Sequence, residues 1–219
     1  MKKIFLTVLF LSFAFFAVHS QTGVIRGAAG NVELLYPGTE AFLPAHSGRP
    51  VIAGTVVSTG IRSRTQIRIG SSEIFMRPMT QVSIIEITIW EDSEIIIISL
   101  ESGNIQIVSR PPEGVSVLTT VQTASATAVV TARDFEASAE GEFSSANGNV
   151  RLTNAKGSVT VPGTFRTHTD AGGGFVNPMQ DTMSQLSPLT PSWVGEAGER
   201  NGTIKNWGIG NLEAIVIYR

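Results

Sequence analysis

The chain has 219 residues, with 16 Lys and Arg against 18 Asp and Glu, three His and no Cys. These counts exclude a disulfide framework, a cysteine metal site and a thiolate nucleophile. The slight acidic excess argues against a nucleic-acid partner, which calls for a basic surplus. A hydrophobic fraction of 42% with 16% charged residues excludes a disordered chain, and the length suits one domain or one and a half.

The first 20 residues read as an export signal. Lys2 and Lys3 form a positive start, and Ile4 to Val18 is apolar apart from Thr7 and Ser12. That run of about 15 residues is short for a helix crossing ~30 Å of hydrocarbon. Val18-His19-Ser20 offers the side chains of a signal-peptidase site, so cleavage before Gln21 is expected. Losing Lys2 and Lys3 takes the basic count from 16 to 14 against 18 acids, a net of −4. No later apolar run reaches ~18 residues, so no stable membrane span is expected after cleavage. The mature protein is expected in the periplasm or outside the cell, held together by burial and backbone pairing alone.

From residue 21 the dominant signal is period-2 alternation, the mark of a half-buried strand. It runs through Asn31–Tyr36, Thr65–Ile69, Glu73–Arg77, Gln81–Ile84 and Ile85–Trp90. Ile95 to Leu100 reads as a fully apolar strand. Asn104–Val108, Val115–Leu118, Val150–Leu152 and Ser158–Val161 follow, with glycine-bearing turns between the runs. Ala124 to Ala139 carries alanines that permit helix, but Thr123, Thr127, Val129, Val130 and Thr131 are β-branched and favour strand. Gly-Asn followed by an apolar-polar-apolar triplet occurs at Gly30, Gly103 and Gly148, a weak echo at unequal spacing.

After Ala171-Gly172-Gly173-Gly174 the character changes. Prolines 178, 188 and 191 punctuate an irregular stretch, with one short helical turn expected around Gln180 to Leu186. Leu212 to Tyr218 reads as a last strand that covers a sheet edge. The expected organisation is therefore a signal peptide (1–20), a β domain (21–170) and a Gly- and Pro-rich extension ending in a strand (171–219). The fold class is all-β with many short strands. A β-solenoid or β-roll is the first architecture expected and a two-sheet β-sandwich the alternative, with an irregular C-terminal tail.

Laid in order, the strands between Gly27 and about Val161 resemble a FecR-type domain, a family of bacterial extracytoplasmic β modules. Gly54 with Val56-Val57-Ser58-Thr59-Gly60 is similar to the family's G-x-x-I-x-T-G. Ser63 to Ile69 follows as its next strand, with Gly70-Ser71 in place of an Asp-Gly-Ser turn. Ile74, Met76, Pro78, Thr80 and Val82 resemble l-x-l-x-P-x-T-x-l, and Leu100 to Ile105 resembles l-x-x-G-x-v. Val115-Ser116-Val117 with Thr119 to Ala128 resembles f-x-V-x-T-p-x-a-x-a. Where the family has Gly-Thr-x-Phe, this chain has Ala132-Arg133-Asp134-Phe135 and keeps only the Phe. The resemblance implies an envelope module with protein partners, in some members a signalling relay to a sigma factor. Those relays carry a cytoplasmic region and a membrane helix before the β domain, which this sequence lacks.

Catalytic inventory is thin. His168 and Asp170 are two apart, and on a strand they share a face, which makes them the one local acid–base candidate. His46 sits in a turn-like loop. Glu91-Asp92 with Glu94, and Glu140 with Glu142, are carboxylate pairs of the kind glycosidases use across a cleft, or that hold a calcium ion. Neither has the spacing of a calcium loop, no H-x-x-x-H or H-E-x-x-H occurs, and the late glycines form no phosphate loop. No catalytic residue, metal site or cofactor is expected. Trp193 and Trp207 are the candidate binding residues, because exposed aromatics in irregular segments anchor sugars or proteins. The sequence thus points to a non-enzymatic module that binds or scaffolds a protein or cell-envelope component. The alternative is a carbohydrate-directed protein, a peptidoglycan or polysaccharide binder or weak glycosidase.

Overall fold

A computed structural model of the chain describes residues 22–185. The predicted signal peptide, Trp193, Trp207 and the predicted strand from Leu212 to Tyr218 lie outside the described residues.

The chain lays down hairpins alternately into two sheets. β1 (Gly23–Ala29) opens sheet I, β2 (Val32–Leu35) and β3 (Leu43–Pro44) open sheet II, and β4 (Pro50–Val51) returns to sheet I. β5 (Val56–Thr59) lies in sheet II, β6 (Arg64–Ile69) and β7 (Ser72–Met76) in sheet I, β8 (Gln81–Ile89) and β9 (Ser93–Ser102) in sheet II. β10 (Asn104–Ser109) joins sheet I, β11 (Ser116–Gln122) and β12 (Thr127–Val130) sheet II, β13 (Asp134–Ser138) and β14 (Glu142–Asn147) sheet I. β15 (Val150–Asn154) and β16 (Gly157–Val161) complete sheet II, β17 (Arg166–His168) completes sheet I, and one helix, α1 (Pro178–Gln185), follows.

Sheet I runs β17-β14-β13-β10-β7-β6-β1-β4 and sheet II β16-β15-β12-β11-β9-β8-β5-β2-β3. Apart from the first turn, both sheets grow in one direction with the chain, so each strand meets neighbours close in sequence. Growth of that kind is what a roll shares with a solenoid. The pairing is different. Successive coils of a solenoid stack as parallel neighbours, whereas here every pairing among the described strands is antiparallel except β9 with β11. The architecture is the two-sheet alternative, with neither sheet closed into a barrel. Short hairpin turns force this outcome, because a tight turn can only reverse the chain.

One apolar core lies between the sheets. Ile25, Ile67, Ile74, Ile107, Phe135 and Phe143 enter from sheet I, and Leu34, Val57, Ile84, Ile96, Ile98 and Leu152 from sheet II. Alternation places them, since every second side chain of a strand points to the same face. The ambiguous segment from Ala124 resolves as β12 and β13, with Ala128, Val130, Phe135 and Ala137 buried. β1, β3, β4 and β14 are additions to the predicted strands. In β14 the only large apolar residue is Phe143, so its alternation is faint in sequence and is completed by the buried Ser145, whose Oγ donates to the Gly148 carbonyl at 2.9 Å.

Sheet edges are unequal. At one end β3 and β4 are two residues each and carry Pro44 and Pro50, which cannot donate to another strand. At the other, β17 has α1 beside it. Asn177 caps that helix, accepting from the Met179 N–H at 3.0 Å, with Pro178 at its first position. No described helix is long and apolar enough to cross a membrane.

Candidate functional site

The predicted acid–base pair is rearranged. His168 does not face Asp170, which instead accepts from the Gly172 and Gly174 amides at 2.8 and 2.9 Å and closes the glycine-rich turn. The acid opposite His168 is Asp181, one turn into α1, with Oδ2 3.0 Å from Nδ1. Asp181 is buried and His168 half-exposed, so the contact clasps the helix to β17. The Arg166 amide adds to the clasp by donating to Thr182 Oγ1 at 3.1 Å. Among the described residues no hydroxyl bonds to His168, and a His–Asp pair without a nucleophile is not a hydrolytic triad.

The acidic hairpin is also split. Glu91 and Asp92 are exposed at the β8–β9 tip, whereas Glu94 is 7% exposed and turns inward. Its carboxylate accepts from the Ser71 amide at 2.9 Å and from Ser71 Oγ at 2.8 Å. Glu94 thus ties sheet II to the β6–β7 turn of sheet I. Gly70, in the left-handed region at φ +55, leaves the room, since a Cβ there would run into the carboxylate. Glu140 and Glu142 lie exposed at a turn and on the outer face of sheet I. No group of three or more metal-ligating side chains occurs among the described residues.

Two depressions are polar. One of about 170 Å³ on the outer face of sheet I is lined by Arg77, Asn104, Glu136, Glu142, Ser144 and Arg166, and an Arg77–Glu136 ion pair of 3.0 Å crosses it. The other, of about 340 Å³, surrounds the β6–β7 turn with Arg68, Glu73, Glu94 and Arg110. Neither has the apolar lining of a small-molecule site.

What stands out is the outer face of sheet II. The isoleucine run of β9 is not buried on both faces. Ile96, Ile98 and Leu100 enter the core, while Ile95 and Ile97 stand half-exposed on the far side. Register places Leu118 beside Ile95, and Thr88 on its other flank. A bulge between Ile84 and Glu86 breaks the alternation of β8 and turns Ile85 outward. Past Thr88, the same alternation brings Trp90 to this face, where it is 57% exposed. Ile85, Trp90, Ile95, Ile97 and Leu118 therefore share the outer face of three adjacent strands as an apolar patch, with Ile95 and Leu118 paired at its centre and Glu86 and Thr120 beside Ile97.

Its rim is acidic. Residues 78–109 contain no Lys or Arg, and of their acids Glu86, Glu91, Asp92 and Glu101 are exposed while Glu94 is turned inward. Glu101 is held on the outer face by the Gln81 amide and the Ser83 hydroxyl. The first basic side chain on this face toward β16 is Arg151, on β15. Sequence reasoning missed the patch because it named Trp193 and Trp207 and left the Ile run as an apolar strand with no face assigned. The available signal was the excess itself: six consecutive positions with five large aliphatic residues supply more apolar side chains than one buried face can take.

No family model matches the chain, and no curated protein matches it. Two crystal structures of a "putative anti-sigma factor" from Parabacteroides distasonis ATCC 8503 are similar to part of it. One shares 12% identity at a TM-score of 0.44, the other 14% at 0.45, each covering 55% of this chain. This chain spans 57% of the length of those structures. So loose a likeness carries no functional argument.

Proposed function

We propose that this chain is an exported, non-catalytic β module of FecR type that binds a protein of the bacterial cell envelope through the outer face of sheet II. The observation that carries the reading is the patch of Ile85, Trp90, Ile95, Ile97 and Leu118 with its acidic rim. Monomeric proteins rarely leave a contiguous apolar area of this kind bare, and aromatic residues inside such areas act as binding anchors. The rim selects a partner that presents apolar side chains together with Lys or Arg. The predicted export signal supports an encounter in the periplasm or outside the cell, and the FecR resemblance supports envelope signalling as its setting.

A photo-crosslinking amino acid at Leu118 tests this in living cells, with one at Ser144 on sheet I as control. A protein adduct from position 118, absent from position 144 and lost in Trp90→Ala, is expected. Equal adducts from both positions, or none from either, would refute the reading. Trp90 beside Glu91 and Asp92 supports carbohydrate binding as a second reading. Retention on peptidoglycan that disappears in Trp90→Ala would favour it, and glycoside hydrolysis lost in Glu91→Gln would sink the non-catalytic assignment.

A further inference from the structure

We propose that the end of the sandwich carrying Ile61 and Met79 seats against an anionic lipid surface. These are the two most exposed large apolar side chains beside Met179 among the described residues, at 76% and 60%. Ile61 sits in the turn between β5 and β6, Met79 in the turn between β7 and β8. The two turns are bonded to each other, the Met79 amide donating to the Gly60 carbonyl at 3.3 Å.

The platform beneath them is rigid. Thr59 Oγ1 donates to the Arg77 carbonyl at 2.7 Å and accepts from the Thr80 amide at 2.9 Å. Thr80 Oγ1 accepts from the Asn104 amide at 3.0 Å, and Ser63 Oγ accepts from the Asn31 amide at 2.8 Å. Thr59, Ser63 and Thr80 are buried, so four turns are stitched together under two bare apolar side chains. Two of the three described non-glycine residues with left-handed backbone lie here, Arg62 at φ 56 and Met79 at φ 59. Such backbone is unfavourable for side-chain-bearing residues and is retained where a site demands it.

Charge decides the occupant. Arg62 and Arg64 are exposed and make no ion pair among the described residues, while Arg77 is engaged by Glu136. Glu101, two residues before the Gly103 turn at this end, is turned onto the sheet face by Gln81 and Ser83. A protruding apolar pair with free guanidinium groups beside it matches an interface of acyl chains below and phosphates above. A protein would have to offer a pocket for each side chain. Because the chain is net acidic, at −2, an anionic bilayer repels it as a whole and admits it only with this end forward.

The chain has no Cys, so Ile61→Cys labelled with nitrobenzoxadiazole reports one site. Every variant keeps the same N terminus, so any lipid contact of the leader is common to all. The label should brighten and shift to the blue with phosphatidylglycerol vesicles and not with phosphatidylcholine vesicles. Arg62→Ala and Arg64→Ala should each weaken this binding about fivefold, and both together about 25-fold. Met79→Ser should weaken it about tenfold. A label at Ile61 that stays in water while one at Ser144→Cys dries would overturn the proposal. So would binding indifferent to both arginines, or a label that dries only when envelope protein is added, which would make this end a protein contact.

Discussion

Removing the Glu94 carboxylate tests how the two sheets are tied. In Glu94→Ala, the Ser71 amide and hydroxyl lose an ionised acceptor at 2.9 and 2.8 Å. Hydrogen bonds to charged groups contribute about 1.5–3 kcal/mol each. Ser71 is half-buried, so water recovers part of the loss, and a net cost of about 3 kcal/mol is expected. For a chain of this size that lowers Tm by about 6–12 °C. Glu94→Gln keeps an acceptor for the amide and a donor for Oγ, so it should cost about 1 kcal/mol. Ser71→Ala should cost about the same, because it removes one of the two bonds. Calorimetry on the three variants reads the series directly. The reasoning fails if Glu94→Ala moves Tm by less than about 2 °C, or if Glu94→Gln is as costly as Glu94→Ala. Because Glu94 also anchors the hairpin that carries Trp90, Glu94→Ala should weaken partner crosslinking at Leu118 as well.

Phe135→Ala should cost about 3–5 kcal/mol, measured by urea unfolding. Phe135 is fully buried, with Ile107 of β10 and Ser145 of β14 as its cross-strand partners, and a loss below about 1 kcal/mol would contradict that packing. Asp181→Ala should free α1 rather than the sheets. Amide exchange across Pro178–Gln185 should quicken about tenfold or more while Tm falls by less than about 2 °C, and a cooperative loss of the whole domain would show that the clasp supports more than one helix.

Much of the strand content was legible because alternation is local. The pattern of Thr65–Ile69, Glu73–Arg77 and Asn104–Val108 depends only on which side chains share a pleat face. β1 and β14 escaped because a strand can be held by its neighbours with little apolar content of its own, as Phe143 alone holds β14 to the core. The sandwich was underweighted against the solenoid for a related reason. Strand order follows the chain in both, and the direction of pairing is set by turn geometry that composition does not display.

The candidate site was less legible than the fold. His168 was singled out with the wrong acid, since Asp170 is near in sequence and Asp181 is near in space. Glu94 read as one of an acidic trio, although one pleat position separates a solvated tip from a buried tie. The apolar patch needs three strands in register, with Leu118 reaching Ile95 through the one parallel pairing.

The sequence alone determined that the body is strand, that it has an aliphatic core and no cysteine chemistry, and that residues 78–109 carry acid without base. Those properties follow from side-chain chemistry and its period along the chain. Tertiary structure alone decided which half of the isoleucine run is core and which is surface, which acid meets His168, and that Ile61 and Met79 share one rigid end. Each of these depends on contacts between residues distant in sequence, and a pattern read along one strand says nothing about what lies across the sheet.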